Sequence, residues 1–308
     1  MIILVFLVHA IFAAIFPIGR VATEIAAPVF FTAVRMALGG TALLVFSWMR
    51  YGNGIARLRK VISIVLAFSI TGIYLTNVCE FWGLQYLPAA KASFIYSLSP
   101  FVAALFSYFF FQEKMTVKKC IGMGIGLFGF SIMIIHHTPG EVAESAIGYI
   151  SGAEAALIVS AISSAIGWIL LRRNMKHHTS AIFIEVLGLS MAIGSLFCFI
   201  HSYVLESWNP IPVFDYPNTL GLFTLCMVLA LLCSNVIAYP LYTELLKTYT
   251  ATFLSFAGFI EPLCAALYGW IFLGEIVTIS FFAASILVFI GLYLFYMEEL
   301  RQGYIVKK

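Results

Sequence analysis

The 308-residue chain is 62% hydrophobic and only 10% charged, with a mean hydropathy of +1.03 and a formal net charge of +3. Soluble domains carry about 25% charged residues, so this composition excludes a water-soluble domain and makes lipid the solvent for most of the outside. No basic run points to nucleic acid, and no Gly/Ser- or Pro-rich linker separates domains.

A spanning helix needs roughly 20 apolar residues. Ten such stretches follow one another, at about 2–20, 28–49, 61–83, 88–111, 117–136, 151–171, 179–202, 217–243, 249–273 and 279–298. The first, MIILVFLVHAIFAAIF, resembles a secretion signal. It lacks the basic leading region and nine further apolar stretches follow it, so it is a membrane helix.

The connecting segments sort the charges. Arg50, Arg57, Arg59 and Lys60 follow the second helix, and Lys114, Lys118 and Lys119 follow the fourth. Arg172, Arg173 and Lys176 follow the sixth, Lys247 the eighth, and Arg301, Lys307 and Lys308 close the chain. Arg20 stands alone on the opposite side, with Glu24, Glu141, Glu144, Glu206 and Asp215. Positive residues concentrate on the cytoplasmic side, so both termini are expected to be cytoplasmic in a multi-pass protein of the cell (inner) membrane.

A shift of 162 residues aligns 84–129 with 246–291 without a gap, and twelve of the 46 pairs are identical. These include Ser93/Ser255, Pro100/Pro262, Glu113/Glu275, Thr116/Thr278 and Gly129/Gly291. Apolar composition alone does not bring rare Pro and Glu into one register. The expected fold is therefore all-α and integral to the membrane: ten helices in two five-helix repeats, 1–149 and 150–308. Five being odd, the repeats enter the membrane from opposite faces, the architecture of alternating-access carriers.

Pro100 and Pro262 lie inside the fourth and ninth helices, and each frees the carbonyl four residues back, of Tyr96 and Gly258. Broken helices at matching places in two halves point to a transport site or hinge. Pro17 and Pro240 have no partner under the same shift and are expected to be kinks.

The stretch AAKASFIYSLSPFVAALFSYFFFQEKMTVKKCIGMGIGLFGF and its second-half counterpart, TATFLSFAGFIEPLCAALYGWIFLGEIVTISFFAASILVFIGL, resemble the EamA-type family of the drug/metabolite transporter superfamily. The resemblance rests on an alanine-rich entry, a mid-helix Pro, a Glu at the helix end and a Gly-rich helix. It falls on Pro100, Glu113, Gly122, Gly126 and Gly129, and on Pro262, Glu275 and Gly291. Arg35, seven residues after Pro28, also fits the pattern. The resemblance covers essentially the whole chain and implies a secondary carrier of metabolites with a central cavity. FAGFIEPLCAALYGWIFLGE further resembles members that move S-adenosylmethionine and its demethylated product. Two departures bear on cargo: the first helix lacks a central Trp, and Glu261 precedes the second-half proline where the first half has Ser99.

An ionisable group inside a membrane is costly and normally faces a cavity or a partner. Arg35, Glu185 and Glu261 lie deepest in the spans and are candidates for substrate binding or coupling, against structural salt bridges. Glu80, Lys91 and Glu154 lie nearer the ends, where a site and a side chain reaching water are both open readings. Asn77 and Asn235, amid apolar neighbours, need hydrogen-bond partners; Tyr96 and Tyr239 add polar aromatic surface, as do Tyr74 and Tyr242, and Ser97 adds a hydroxyl. Carboxylates around one deep Arg suit a cationic or zwitterionic small molecule such as an amino acid or S-adenosylmethionine, and equally a coupled proton or counter-substrate.

Cys79, Cys120, Cys198, Cys226, Cys233 and Cys264 lie in apolar stretches without CxxC or metal spacing. His136–His137 and His177–His178 are expected to be solvated at helix ends, and Trp208 to join an aromatic belt. No metal, cofactor or catalytic group is expected. Gly122, Gly126 and Gly129 provide GxxxG-type packing rather than a phosphate cradle. No GxxxxGK[ST] occurs, so the chain has no ATPase of its own. A passive channel or uniporter is the alternative, weakened by the repeat and by the lack of a filter-like loop, and a membrane enzyme would need a His/Asp/Glu cluster at one face. A monomer or a homodimer is expected.

Overall fold

The computed structural model describes residues 2–52, 61–111, 114–136, 138–142, 146–147, 150–175, 179–206, 218–249 and 251–302. Among these residues, ten helices are long and apolar enough to cross a membrane. They are α1 Ile3–Ile25, α2 Pro28–Tyr51, α3 Ile62–Leu84, α4 Ala89–Phe106, α5 Val117–Ile135, α6 Gly152–Asn174, α7 Ala181–Leu205, α8 Thr219–Thr248, α9 Phe253–Leu273 and α10 Ile279–Gln302. Each overlaps one expected stretch, and α1 and α8 run a turn or so further than hydropathy alone suggested. A two-residue hairpin, β1 Ala146–Ile147 with β2 Ile150–Ser151, precedes α6. Glu113, Arg57, Arg59, Lys60, Glu144, Lys176, Lys307, Lys308, His137, His177, His178, Trp208 and Asp215 lie outside the described residues.

The outer surface is apolar, as lipid requires: Phe272, Leu205, Ile200 and Trp270 are all mostly exposed. Without a hydrophobic drive between helices in lipid, association depends on close packing at small residues. Two antiparallel pairs show it. Along α2 and α7, a Cβ added at Gly40 would lie 2.7 Å from the Gly188 carbonyl oxygen and 2.8 Å from the Ala192 nitrogen. Along α5 and α10, one added at Gly122 would lie 2.6 Å from the Gly291 carbonyl oxygen. Both pairs join helices that hold the same place in the two expected five-helix repeats.

The helices are interrupted at matching places. α3 widens into a π-helical stretch at Ser69–Leu75 and α8 into another at Leu231–Ala238, starts that differ by 162 residues (231 − 69). Each π turn leaves backbone groups to be satisfied by side chains. In α3, Thr76 Oγ1 and Ser163 Oγ donate to the Thr71 carbonyl at 2.7 and 2.8 Å, and Asn77 Nδ2 donates to that of Ile73 at 2.8 Å. α4 breaks at Ser97–Leu98 and α9 at Gly258–Phe259, just ahead of Pro100 and Pro262. The Gly258 carbonyl expected to be free accepts instead from the Glu261 amide at 2.9 Å, because the break tightens into a three-residue turn.

Two carboxylates close helix starts from elsewhere in the chain. Glu206 accepts from Val29 N and Phe30 N at 2.8 and 3.0 Å at the start of α2. Glu275 accepts from Ala89 N at 2.8 Å at the start of α4. Both use the positive end of a helix and its orphan amides.

A β-branched side chain at Gly122 should force the α5–α10 contact apart, lowering stability by about 1–3 kcal/mol. Gly124, with nothing within 4 Å of its added Cβ, is the control. Gly122→Val should lower membrane abundance and the melting temperature in detergent while Gly124→Val leaves both near wild type. Equal behaviour of the two variants would show that this contact does not hold the helices together.

Candidate functional site

The helix interruptions converge on one internal cavity with a mixed polar and aromatic lining. α1, α2, α3, α4, α6, α8 and α9 line it, whereas α5, α7 and α10 contribute none of the described lining residues. The π stretches and proline breaks thus lie in the helices around the cavity, and the straight glycine-packed pairs include the helices outside it.

Arg35 of α2 is completely buried in the cavity wall. Its Nη2 donates to Asn77 Oδ1 at 2.5 Å, and its guanidinium carbon lies 4.7 Å from the Phe81 ring centroid. Its Nε and Nη1 have no hydrogen-bond partner. A buried guanidinium with idle donors is costly until an anionic oxygen reaches it, and a carboxylate matches its planar donor geometry. Asn77 is itself held by Ile73 O and stands 3.5 Å from Tyr239 Oη, so Arg35 sits on a braced side chain.

Glu80, one turn beyond Asn77, is 6% exposed and lines the same cavity. Its nearness to a loop left a site and a side chain reaching water both open, and the α3 helix turns residue 80 towards the same interior face as Asn77. Across the cavity, His9 Nδ1 and Glu261 Oε1 are 2.5 Å apart, joining α1 to α9. His9 Nε2 is buried without a partner. Between these charged ends stand aromatic rings: Trp168 lies 4.5 Å from Tyr242 and 5.5 Å from Tyr239, centroid to centroid, and Phe16 meets Tyr96 at 5.8 Å. Tyr96 Oη donates to Ser164 Oγ at 2.7 Å. The cavity can therefore hold a carboxylate at Arg35, cationic groups at Glu80 and Glu261, and a planar ring against its aromatic wall.

Of the candidates from sequence, Arg35, Asn77, Tyr96, Tyr239, Glu261 and Pro100 line this cavity, with Ser97 and Tyr242. Glu185, Asn235 and Pro262 do not. Glu185 accepts from Ser47 Oγ at 3.3 Å between α7 and α2. It sits as deep in α7 as Arg35 in α2, but the two helices are antiparallel, so equal depths fall at opposite ends. Asn235 points into the α2–α7 packing, with Nδ2 3.2 Å from Met36 Sδ, because the π stretch of α8 turns it off the cavity face. Tyr74 pairs with His201 at 2.8 Å, also elsewhere. His9, Trp168 and Ser164 went unnoticed in the sequence; for His9 the signal was available, an ionisable residue centred in an apolar helix.

Lys91 is fully buried and lies 2.8 Å from both Glu141 and Glu154, so neither Lys91 nor Glu154 reaches water as a snorkelling side chain would. This triad joins the start of α4 to the start of α6 and the segment before it. Removing one member of a buried ion pair typically costs about 3–5 kcal/mol. Lys91→Met should lower the melting temperature strongly, and adding Glu141→Gln and Glu154→Gln should recover much of the loss. A single variant as stable as wild type would remove the triad from the structural account.

The sequence model of the EamA-like transporter family matches residues 1–135 and 151–297. The chain is 37% identical over 305 residues to the S-adenosylmethionine/S-adenosylhomocysteine transporter of Chlamydia trachomatis serovar L2, covering 98% of this chain and 91% of that protein. The transporter of the same name in Chlamydia muridarum is 36% identical, covering 98% and 93%. The pseudopaline exporter CntI of Pseudomonas aeruginosa is 24% identical over 258 residues, covering 83% of this chain and 82% of that protein. A protein of known crystal structure has the same fold, with a TM-score of 0.68 over 97% of this chain and 98% of its own at 16% identity.

Proposed function

The chain belongs to the EamA-like transporter family, and on that premise we propose that it is a secondary active carrier that exchanges S-adenosylmethionine for S-adenosylhomocysteine by alternating access. That it is a membrane transporter of a small metabolite, and not an enzyme, follows from the family and its relatives. The observation that carries the cargo is the buried Arg35 with idle donors, facing carboxylates and an aromatic wall. S-adenosylmethionine has a carboxylate, an ammonium, a sulfonium and a planar adenine, and the cavity offers a complement to each: Arg35, Glu80, Glu261 and the rings of Phe16, Tyr96, Trp168, Tyr239 and Tyr242.

The transport cycle rests on two inverted repeats, 1–149 and 150–308. The antiparallel run of the equivalent helices α2 and α7, and of α5 and α10, supports this reading, as do the matching π stretches of α3 and α8. The proline breaks at Pro100 and Pro262 serve as hinges around the cavity. The one-sided distribution of Lys and Arg supports cytoplasmic termini in the cell membrane. Because one chain encloses the cavity, the monomer is the working unit.

Labelled S-adenosylmethionine should enter proteoliposomes saturably, be displaced by S-adenosylhomocysteine, and accumulate when the vesicles are preloaded with it. Arg35→Ala and Glu80→Gln should each raise the KM about 10- to 100-fold at unchanged abundance, the cost of losing a hydrogen bond to a charged group, roughly 1.5–3 kcal/mol. Flat uptake would remove the cargo; non-saturating flux without accumulation would make the protein a channel.

A further inference from the structure

Resting on the cargo assigned above, we propose that the His9–Glu261 pair carries a proton in place of the sulfonium charge when the demethylated product crosses, so that the exchange moves no net charge. The pair is built into the cavity rather than beside it. His9 is 3% exposed, its Nδ1 touches Glu261, and its Nε2 is buried without a partner in the cavity wall. The fold does not demand it, since the 162-residue shift places Ser99 where the second half has Glu261 (99 + 162 = 261), and both line the cavity.

The other titratable and charged groups around the pair are few. Tyr242 of α8 meets the His9 ring edge-on at 5.8 Å. Tyr96 of α4 and Glu80 of α3 lie within electrostatic reach of Glu261, as does Cys264 on the same helix. Arg35 of α2 and Tyr239 of α8 face the cavity from the far side, and Arg172 of α6 lies within reach of Tyr242. Arg35 and Glu80 are of opposite sign and within reach of one another. Glu80 is the other buried carboxylate of the cavity, and the His9–Glu261 pair is distinguished from it by direct contact between an acid and a base, with His9 Nε2 left open to the cavity wall.

At neutral pH S-adenosylmethionine has an ammonium, a sulfonium and a carboxylate and bears one net positive charge, whereas S-adenosylhomocysteine lacks the sulfonium and bears none. With His9 neutral and Glu261 ionised the pair holds one negative charge, which the sulfonium neutralises. With the thioether bound, one added proton on the pair restores the same total. That proton comes from water on the side to which the cavity is open and returns to water on the other side. No covalent bond between heavy atoms changes. The loaded cavity then crosses the low-dielectric interior in one charge state with either cargo, which avoids moving an uncompensated charge.

The test counts protons and charge per turnover, a quantity independent of the rate that a variant retains. Wild-type proteoliposomes preloaded with S-adenosylhomocysteine, on external labelled S-adenosylmethionine, should lose one proton from the lumen per molecule taken up, read by a trapped pH dye. The exchange should be indifferent to a potassium/valinomycin potential. In His9→Gln and in Glu261→Gln the proton count should fall to none and any remaining exchange should respond to the potential. Wild-type exchange that moves no proton, or that is driven by the potential, overturns the proposal even if both variants are inactive, as does an intact proton count in either variant. Absence of labelled exchange between S-adenosylmethionine on both sides would instead sink the cargo assignment, and this proposal with it.

Discussion

A polar group in hydrocarbon must find its partner inside the protein, because no water is there to supply one. That constraint organises the interruption of α3. Where α3 departs from regular hydrogen bonding, the carbonyls of Thr71 and Ile73 are taken up by Thr76, Ser163 and Asn77. Where Lys91 is buried, two carboxylates meet it. Where α2 and α4 begin, Glu206 and Glu275 take up the orphan amides. Arg35 Nε and Nη1 and His9 Nε2 are among the buried atoms of the described residues without a hydrogen-bond partner, and both residues lie in the same cavity wall.

The division of labour among helices follows from the same constraint. The α2–α7 and α5–α10 pairs meet backbone to backbone through Gly40, Gly188, Gly122 and Gly291, contacts too close to deform without separating the helices. α1, α3, α4, α6, α8 and α9 supply most of the cavity, and α1, α3, α4, α8 and α9 each carry a break, a π stretch or a turn. A frame of close-packed pairs beside kinked, cavity-lining helices is a physical arrangement in which some elements can tilt while others hold.

Chemically the cavity is bipolar. Arg35 and Asn77 occupy one region, His9 and Glu261 another, and Trp168, Tyr239 and Tyr242 lie between them. Such a site discriminates by charge placement more than by size, since each buried group left unpaired by a wrong ligand penalises it.

Hydropathy and punctuation were enough to locate ten helices close to their observed bounds, because the thickness of a bilayer imposes a length that one-dimensional sequence displays directly. The rare Pro100 and Pro262 in register marked where α4 and α9 break, and the depth of Arg35, Asn77 and Glu261 marked residues that prove to face the cavity. Glu185 and Asn235 were equally deep and face the α2–α7 seam instead, while Glu80 and Lys91 looked peripheral and are buried. Depth along a helix is written in the sequence; the face a residue presents is not. That face depends on the rotation of each helix, which the glycine contacts, the π turns of α3 and α8 and the antiparallel packing set together, and only the tertiary structure decides it.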